Sequence, residues 1–242
     1  MSEVSNITAN NNDSPGLAVV IGSHGGIGGA IRQALDAGGS YGRVLGLSRN
    51  GPDALDIMDE DNVRRATAMI AETGLPVRLV VLATGFLHND DFAPEKSFTA
   101  LDPAHMAHAY AVNTIGPALV MKHLLPLLPR QKRSVFAALS ARVGSISDNR
   151  LGGWHSYRAS KAALNQMIRT CAIELKRSHR NAVCAAIHPG TVDTGLSAPF
   201  ARRGLQVRAP GVAAQEILSV LNGLTPADSG GFFDHKGQAI DW

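Results

Sequence analysis

Leu17-Ala18-Val19-Val20-Ile21 is an unbroken apolar run that ends in Gly22-Ser23-His24-Gly25-Gly26-Ile27-Gly28-Gly29, after which Ala30 to Ala37 read as a helix. A run without polar alternation suits a strand buried on both faces of a parallel sheet. Strand, glycine-rich turn and helix in immediate succession form an anion-binding arrangement. The glycines let the backbone approach a pyrophosphate, and the helix N-terminus presents N–H groups and the positive end of its dipole. The stretch predicts a doubly wound α/β domain and nominates Gly22, Ser23, His24, Gly26, Ile27 and Gly28 as a dinucleotide cradle.

The alternation continues. Arg43 to Ser48, Pro76 to Ala83, Ser134 to Ser140 and Asn181 to Ile187 read as strands, while helical spacing covers Glu60 to Thr73, Tyr157 to about Lys176 and Val212 to Leu221. Asp102-Pro103 has the form of an N-cap followed by a first-turn proline and opens a long helix to about Leu128. The 242 residues contain no internal repeat or linker, so residues 16–242 are read as one large domain. Met1 to Pro15 is polar and Asn-rich, a tail expected to be disordered.

Composition excludes several function classes. The net charge of +3 is small, and no basic run is interleaved with aromatics, which argues against nucleic acid as a partner. No apolar run is long enough to cross a membrane and no charged-then-apolar leader opens the chain, so a cytoplasmic location is expected. The two cysteines, Cys171 and Cys184, lie in apolar runs without metal-ligand spacing, which suits reduced buried thiols and no metal site.

Chemistry enters at Gly152-Gly153-Trp154-His155-Ser156-Tyr157-Arg158-Ala159-Ser160-Lys161. Residues four apart on a helix share a face, so Lys161 lies one turn from Tyr157. A phenol titrates near pH 10 on its own, and a neighbouring ammonium favours the phenolate, which makes the pair a candidate proton donor and acceptor. The second strand ends in Ser48-Arg49, where an NAD-preferring fold places an acid on the ribose hydroxyls. A guanidinium there suits a 2′-phosphate, predicting NADP(H) over NAD(H). Only Asn50 to Leu55 separate Arg49 from Asp56-Ile57, too few for the roughly 10 to 12 residues of a normal crossover. The crossover helix between strands 2 and 3 should be missing and the third strand rudimentary.

With Gly22, Gly26 and Gly28 spaced Gly-x-x-x-Gly-x-Gly and Tyr157-x-x-x-Lys161 downstream, the chain resembles the short-chain dehydrogenase/reductases from Leu17 to Trp242. The run Arg142 to Asn149, the short second crossover and the Phe-Phe-Asp ending look closest to the C-factor-like branch, near the sniffer-type carbonyl reductases. The resemblance implies a Rossmann sheet in the order 3-2-1-4-5-6-7. It implies Tyr157 as the general acid/base that protonates a carbonyl oxygen while hydride comes from the nicotinamide, with Lys161 lowering the Tyr157 pKa and holding the ribose. Asn113, in Val112-Asn113-Thr114-Ile115-Gly116-Pro117, matches the Asn that holds a water behind the lysine. Asp56 and Ile57 fall beside the adenine.

Ala83, Thr84 and Gly85 stand where the family has its Asn-Asn-Ala-Gly turn, and Pro189, Gly190, Val192 and Thr194 match its nicotinamide-binding motif. The family's catalytic serine position is Ala141, so the hydroxyl falls to Ser140 or Ser145, with a lean to Ser145. Ser197 to Pro210 reads as a substrate lid in which Phe200 is an apolar candidate and Arg202, Arg203 and Arg208 are solvated. Phe86, Leu87, Trp154 and Phe200 suggest a partly apolar cleft, and His88 is a further substrate contact. The implied partners are a small carbonyl or alcohol substrate and a second copy of the chain, as homodimer or homotetramer, through the helices carrying Asn113 and Tyr157. A nucleotide-binding regulatory protein with incidental turnover is the alternative.

Overall fold

Leu17–Ile21 forms the first strand, β1, completely buried along its length. The computed structural model describes residues 16–51, 54–200 and 207–242; the tail expected over Met1 to Pro15, and Arg202 and Arg203, lie outside them. The remaining strands are β2 (Arg43–Leu47), β3 (Val77–Leu82), β4 (Ser134–Leu139), β5 (Ala182–His188) and β6 (Phe232–Asp234). They pair in parallel in the order β2-β1-β3-β4-β5-β6. This is the expected doubly wound order with its third strand reduced to a single parallel bridge between Ser48 and Ala54. No helix lies between Ser48 and Ala54 among the described residues.

Helices cover both faces. α1 (Gly26–Gly38) and α6 (Pro210–Gly223) lie on one side, and α2 (Glu60–Glu72), α4 (Gly116–Leu124) and α5 (His155–Leu175) on the other. Successive residues of β1 serve opposite cores: Leu17, Val19 and Ile21 pack with Phe136, Leu164 and Ile168, whereas Ala18 and Val20 pack with Ile31, Leu35 and Ile217. A strand buried on both faces has no position left for alternation, which is why the sequence run is continuous.

The long helix expected over 102–128 is interrupted. Asp102 caps its start by accepting from His105 N at 2.7 Å, and α3 runs Pro103–Tyr110. Ala111–Ile115 then forms a π turn before α4 begins at Gly116. Pro117 has no N–H to give to the Asn113 carbonyl four residues back, and the Gly116 N–H reaches Ala111 O instead. No Cβ stands at Gly116, and one there would come within 2.7 Å of Ile57 Cγ1, so α4 sits hard against the short crossover.

Candidate active site

The turn after β1 is set by close backbone approach. A Cβ at Gly22 (φ +87) would lie 2.9 Å from Ala83 O, and one at Gly28 would lie 2.2 Å from Gly22 O. The N-terminus of α1 carries no side-chain cap and no acid in its first turn, so its N–H groups and dipole remain available to an anion. Beside it lies a cavity of about 350 Å³ lined by Gly22, His24, Gly25, Ser48, Arg49, Asp56, Ile57, Ala83, Thr84 and Gly85. The Thr84 hydroxyl is buried there without a protein partner.

Ser23 does not face this cavity: its hydroxyl donates to Leu47 O at 3.2 Å and ties the turn to β2. Gly26, Ile27 and Gly28 shape the turn without lining the cavity. Asp56 holds the following bend through Met58 N at 2.9 Å. Ile57 is buried under α4. An uncapped helix start, an exposed guanidinium and an unpartnered hydroxyl around one cavity are a donor set that fits a phosphorylated dinucleotide.

Gly85 and Val112 of the lining stand next to the polar residues of α5 and the π turn. A Cβ at Gly85 would lie 3.6 Å from Lys161 Nζ and 3.7 Å from Asn113 Oδ1. Asn113, fully buried, grips the Phe86 backbone with both ends of its amide, accepting from N and donating to O at 2.8 Å each. It also donates to Ser160 Oγ at 3.1 Å, and Thr114 Oγ1 donates to Ser160 O at 2.8 Å. The π turn is thereby stitched to α5.

Lys161 Nζ donates to Leu139 O at 2.9 Å and lies 5.9 Å from the Tyr157 ring centroid. Burial governs both groups: it pushes the Lys161 ammonium down to about 8 and the Tyr157 phenol up. The expected lowering of Tyr157 by Lys161 is thus not seen here, because desolvation penalises the phenolate and the ammonium points at the end of β4.

Both candidate serine hydroxyls have protein partners. Ser145 is 2% exposed; its Oγ donates to Asp241 O at 2.6 Å and accepts from Asp148 N at 3.1 Å. The lean toward it is therefore corrected. Ser140 Oγ donates to Asn165 Oδ1 at 2.6 Å. After β5, Gly190 adopts φ +76, Val192 is buried and bridged to Arg208, and a Cβ at Gly26 would lie 2.7 Å from Thr194 Cγ2. Pro189 to Thr194 thus crosses the mouth of α1. Arg208 is not solvated as expected: it bonds His235 and pairs with Glu216 at 3.3 Å.

An aromatic group flanks Tyr157. The Trp154 ring lies 6.2 Å from Tyr157 and 5.2 Å from Phe200, which in turn lies 5.3 Å from His88. Phe86 packs with Phe92, His105 and His108 in a second ring cluster and, with His108, also lines the cavity. Glu95, which the sequence reading passed over, is buried against the start of α5, where both carboxylate oxygens lie 3.2 Å from Ser156 N. The signal for it was the absence of Ser, Thr, Asp or Asn before His155, which leaves the helix start needing a partner from elsewhere.

Comparison with known proteins agrees with this architecture. The family model described as enoyl-(acyl carrier protein) reductase matches residues 47–214. The C-signal of Myxococcus xanthus is 35% identical over 142 residues, covering 59% of this chain and 81% of the relative. The 1-hydroxy-2-glutathionyl-2-methyl-3-butene dehydrogenase of Rhodococcus sp. (strain AD45) is 28% identical over 188 residues, 78% of each chain. Among solved structures, the NADPH-bound carbonyl reductase from chicken fatty liver superposes with a TM-score of 0.81 at 24% identity, covering 94% of this chain and 99% of that one. The carbonyl reductase Sniffer of D. melanogaster gives 0.81 at 20% identity, covering 95% and 100%. With the glycine turn, the sheet order and the family match all in agreement, the chain belongs to the short-chain dehydrogenase/reductase family of oxidoreductases.

Proposed function

We propose that this protein is an NADP(H)-dependent oxidoreductase that interconverts a carbonyl and an alcohol. The observation that carries the reading is the convergence of Asn113 and Lys161 on Gly85, which lines the same cavity as Arg49. Bound NADPH supplies the hydride. Arg49 receives the 2′-phosphate, the uncapped α1 start the pyrophosphate, and the segment from Pro189 to Thr194 the nicotinamide end. Tyr157 gives its proton to the substrate oxygen, and in alcohol oxidation takes it back. The Lys161 charge offsets the negative charge that the phenolate then carries, and Asn113 fixes the wall behind it. Of the two serines, Ser140 at the end of β4 is the one we retain beside the reacting oxygen, its hydroxyl turning from Asn165.

Trp154, Phe200 and His88 form a partly aromatic substrate wall, which suits a small carbonyl compound with an apolar side. Ile115 on the π turn and Ile173 on α5, 53% and 52% exposed, support pairing of two copies across the helices that carry Asn113 and Tyr157. Two free thiols accord with a reducing compartment; among the described residues no helix is long and apolar enough to cross a membrane.

The test is binding of NADPH and NADH to the wild type and to Arg49→Ala, then a carbonyl panel on the wild type and Tyr157→Phe. Tighter NADPH binding that weakens in Arg49→Ala, with turnover lost in Tyr157→Phe while binding is retained, is expected. Unchanged turnover in Tyr157→Phe rules out the mechanism. A second reading, a nucleotide-binding regulatory protein with incidental turnover, draws on the likeness to C-signal. NADPH binding without reduction of any carbonyl in the panel favours it.

A further inference from the structure

We infer that Glu95 is a positioning residue that sets the first turn of α5, and through it Tyr157, against the Asn113 side of the site. The inference rests on the oxidoreductase reading for its kinetic consequence and on geometry for the rest. α5 starts under unusual conditions. Gly152, Gly153 and Trp154 follow one another with φ of +63, +65 and +53, a left-handed run that is favourable for glycine and unfavourable for tryptophan. Such a conformation persists only where the surroundings hold it. Trp154 occupies the N-cap position and provides no side-chain cap, and the first turn contains no acid.

Glu95 fills that role from a segment far away in the sequence. Its carboxylate takes the Ser156 N–H on both oxygens at 3.2 Å and the Ser156 hydroxyl on Oε1. Its backbone carbonyl takes the Trp154 N–H at 2.5 Å. The residue is 4% exposed, so a charge is held out of water, a situation that requires dense compensation. Ser156 and the positive end of the α5 dipole supply it from one side, and His105 Nδ1, 3.4 Å from Oε1, from the other. Burial pushes the Glu95 carboxyl up, but the hydrogen bonds from Ser156 and from the Glu95 backbone, together with His105, hold the group below its ordinary range.

The same carboxylate joins the two halves of the site. Tyr157 follows Ser156 directly in the first turn of α5. On the opposite side the His105 ring stacks on Phe92 at 5.0 Å and meets the edge of Phe86 at 6.0 Å, and it is the Phe86 backbone that Asn113 grips. Glu95 is therefore the link between the residue that moves the proton and the wall that faces the cofactor. A reacting group displaced by about 1 Å can lose on the order of 10²-fold in rate without any change in binding.

The experiment compares Glu95→Gln, Glu95→Ala, Ser156→Ala and the Glu95→Gln/Ser156→Ala double variant, with exposed Lys96→Ala as control. Three quantities are read: kcat for a carbonyl substrate, NADPH affinity by fluorescence, and the primary isotope effect with deuterated nicotinamide. Expected is a fall in kcat of about 10²-fold in Glu95→Ala and a smaller one in Glu95→Gln, which keeps an acceptor for Ser156 N. NADPH affinity should hold, the isotope effect should rise, and the double variant should be no worse than the poorer single one. Lower stability with unchanged kcat and isotope effect per folded molecule overturns the proposal and leaves Glu95 a cap only.

If the wild type itself reduces nothing, the oxidoreductase reading fails separately, and hydrogen exchange decides. Faster exchange in Glu95→Gln that extends from the first turn of α5 to the Phe86 amide held by Asn113 supports the positioning role, whereas a change confined to the first turn, or none, overturns it. If Glu95→Ala fails to fold, Glu95→Gln carries both measurements.

Discussion

Lys161 and Tyr157 are displaced in opposite directions by one cause, burial. Lys161, brought down to about 8, holds its charge below that pH and loses it above. Reduction should therefore decline as pH rises through about 8. In Lys161→Arg the guanidinium stays charged past pH 12, so that limb should disappear from the kcat profile even though kcat itself drops; a limb that stays in place assigns it to another group. At this scale helical spacing pointed to Tyr157 and Lys161 and a place just past a strand end pointed to Arg49, while Asn113 was reached only through the family resemblance. The sequence could not show Ser145, whose partner is the carbonyl of Asp241, or Glu95, whose partner is Ser156. Contacts between segments that distant depend on how the loops close, and no periodicity encodes that.

The interrupted helix shows what propensity alone can and cannot define. Asp102 and Pro103 announced its start, yet the π turn of Ala111–Ile115 emerges only when the carbonyls orphaned by Pro117 find new donors. β1 to β5 were legible within a residue or two because apolar residues dominate them, whereas the three-residue β6 is too short to announce itself. The short crossover followed from chain length. Packing between α4 and that crossover gives a direct prediction. Gly116→Ala would drive a methyl to within 2.7 Å of Ile57 Cγ1 and 3.2 Å of Ile57 O. It should cost about 1–3 kcal/mol of stability, as overpacking does, and weaken dinucleotide binding through the displaced Ile57. Thermal melts and an NADPH titration check the two effects, and an unchanged melt would show that the crossover yields freely.

Across the whole molecule, His188 at the end of β5 couples stability to pH. Burial, with Arg142 nearby, brings it down to about 4, against about 6.5 in an unfolded chain. Between those values the unfolded chain binds the extra proton, so stability is full above about 6.5 and is lost as pH falls toward 4, by at most about 3 kcal/mol. His188→Asn should flatten the melting temperature over that window; an equally steep profile assigns the loss to other groups. The alternation along β1 has a different consequence, in the kinetics of folding. Each strand gives one residue to the core under α1 and α6 and the next to the core under α2, α4 and α5. Neither core can therefore melt while the other survives. A half-assembled sheet would leave one apolar face in water, so the two cores are expected to form together.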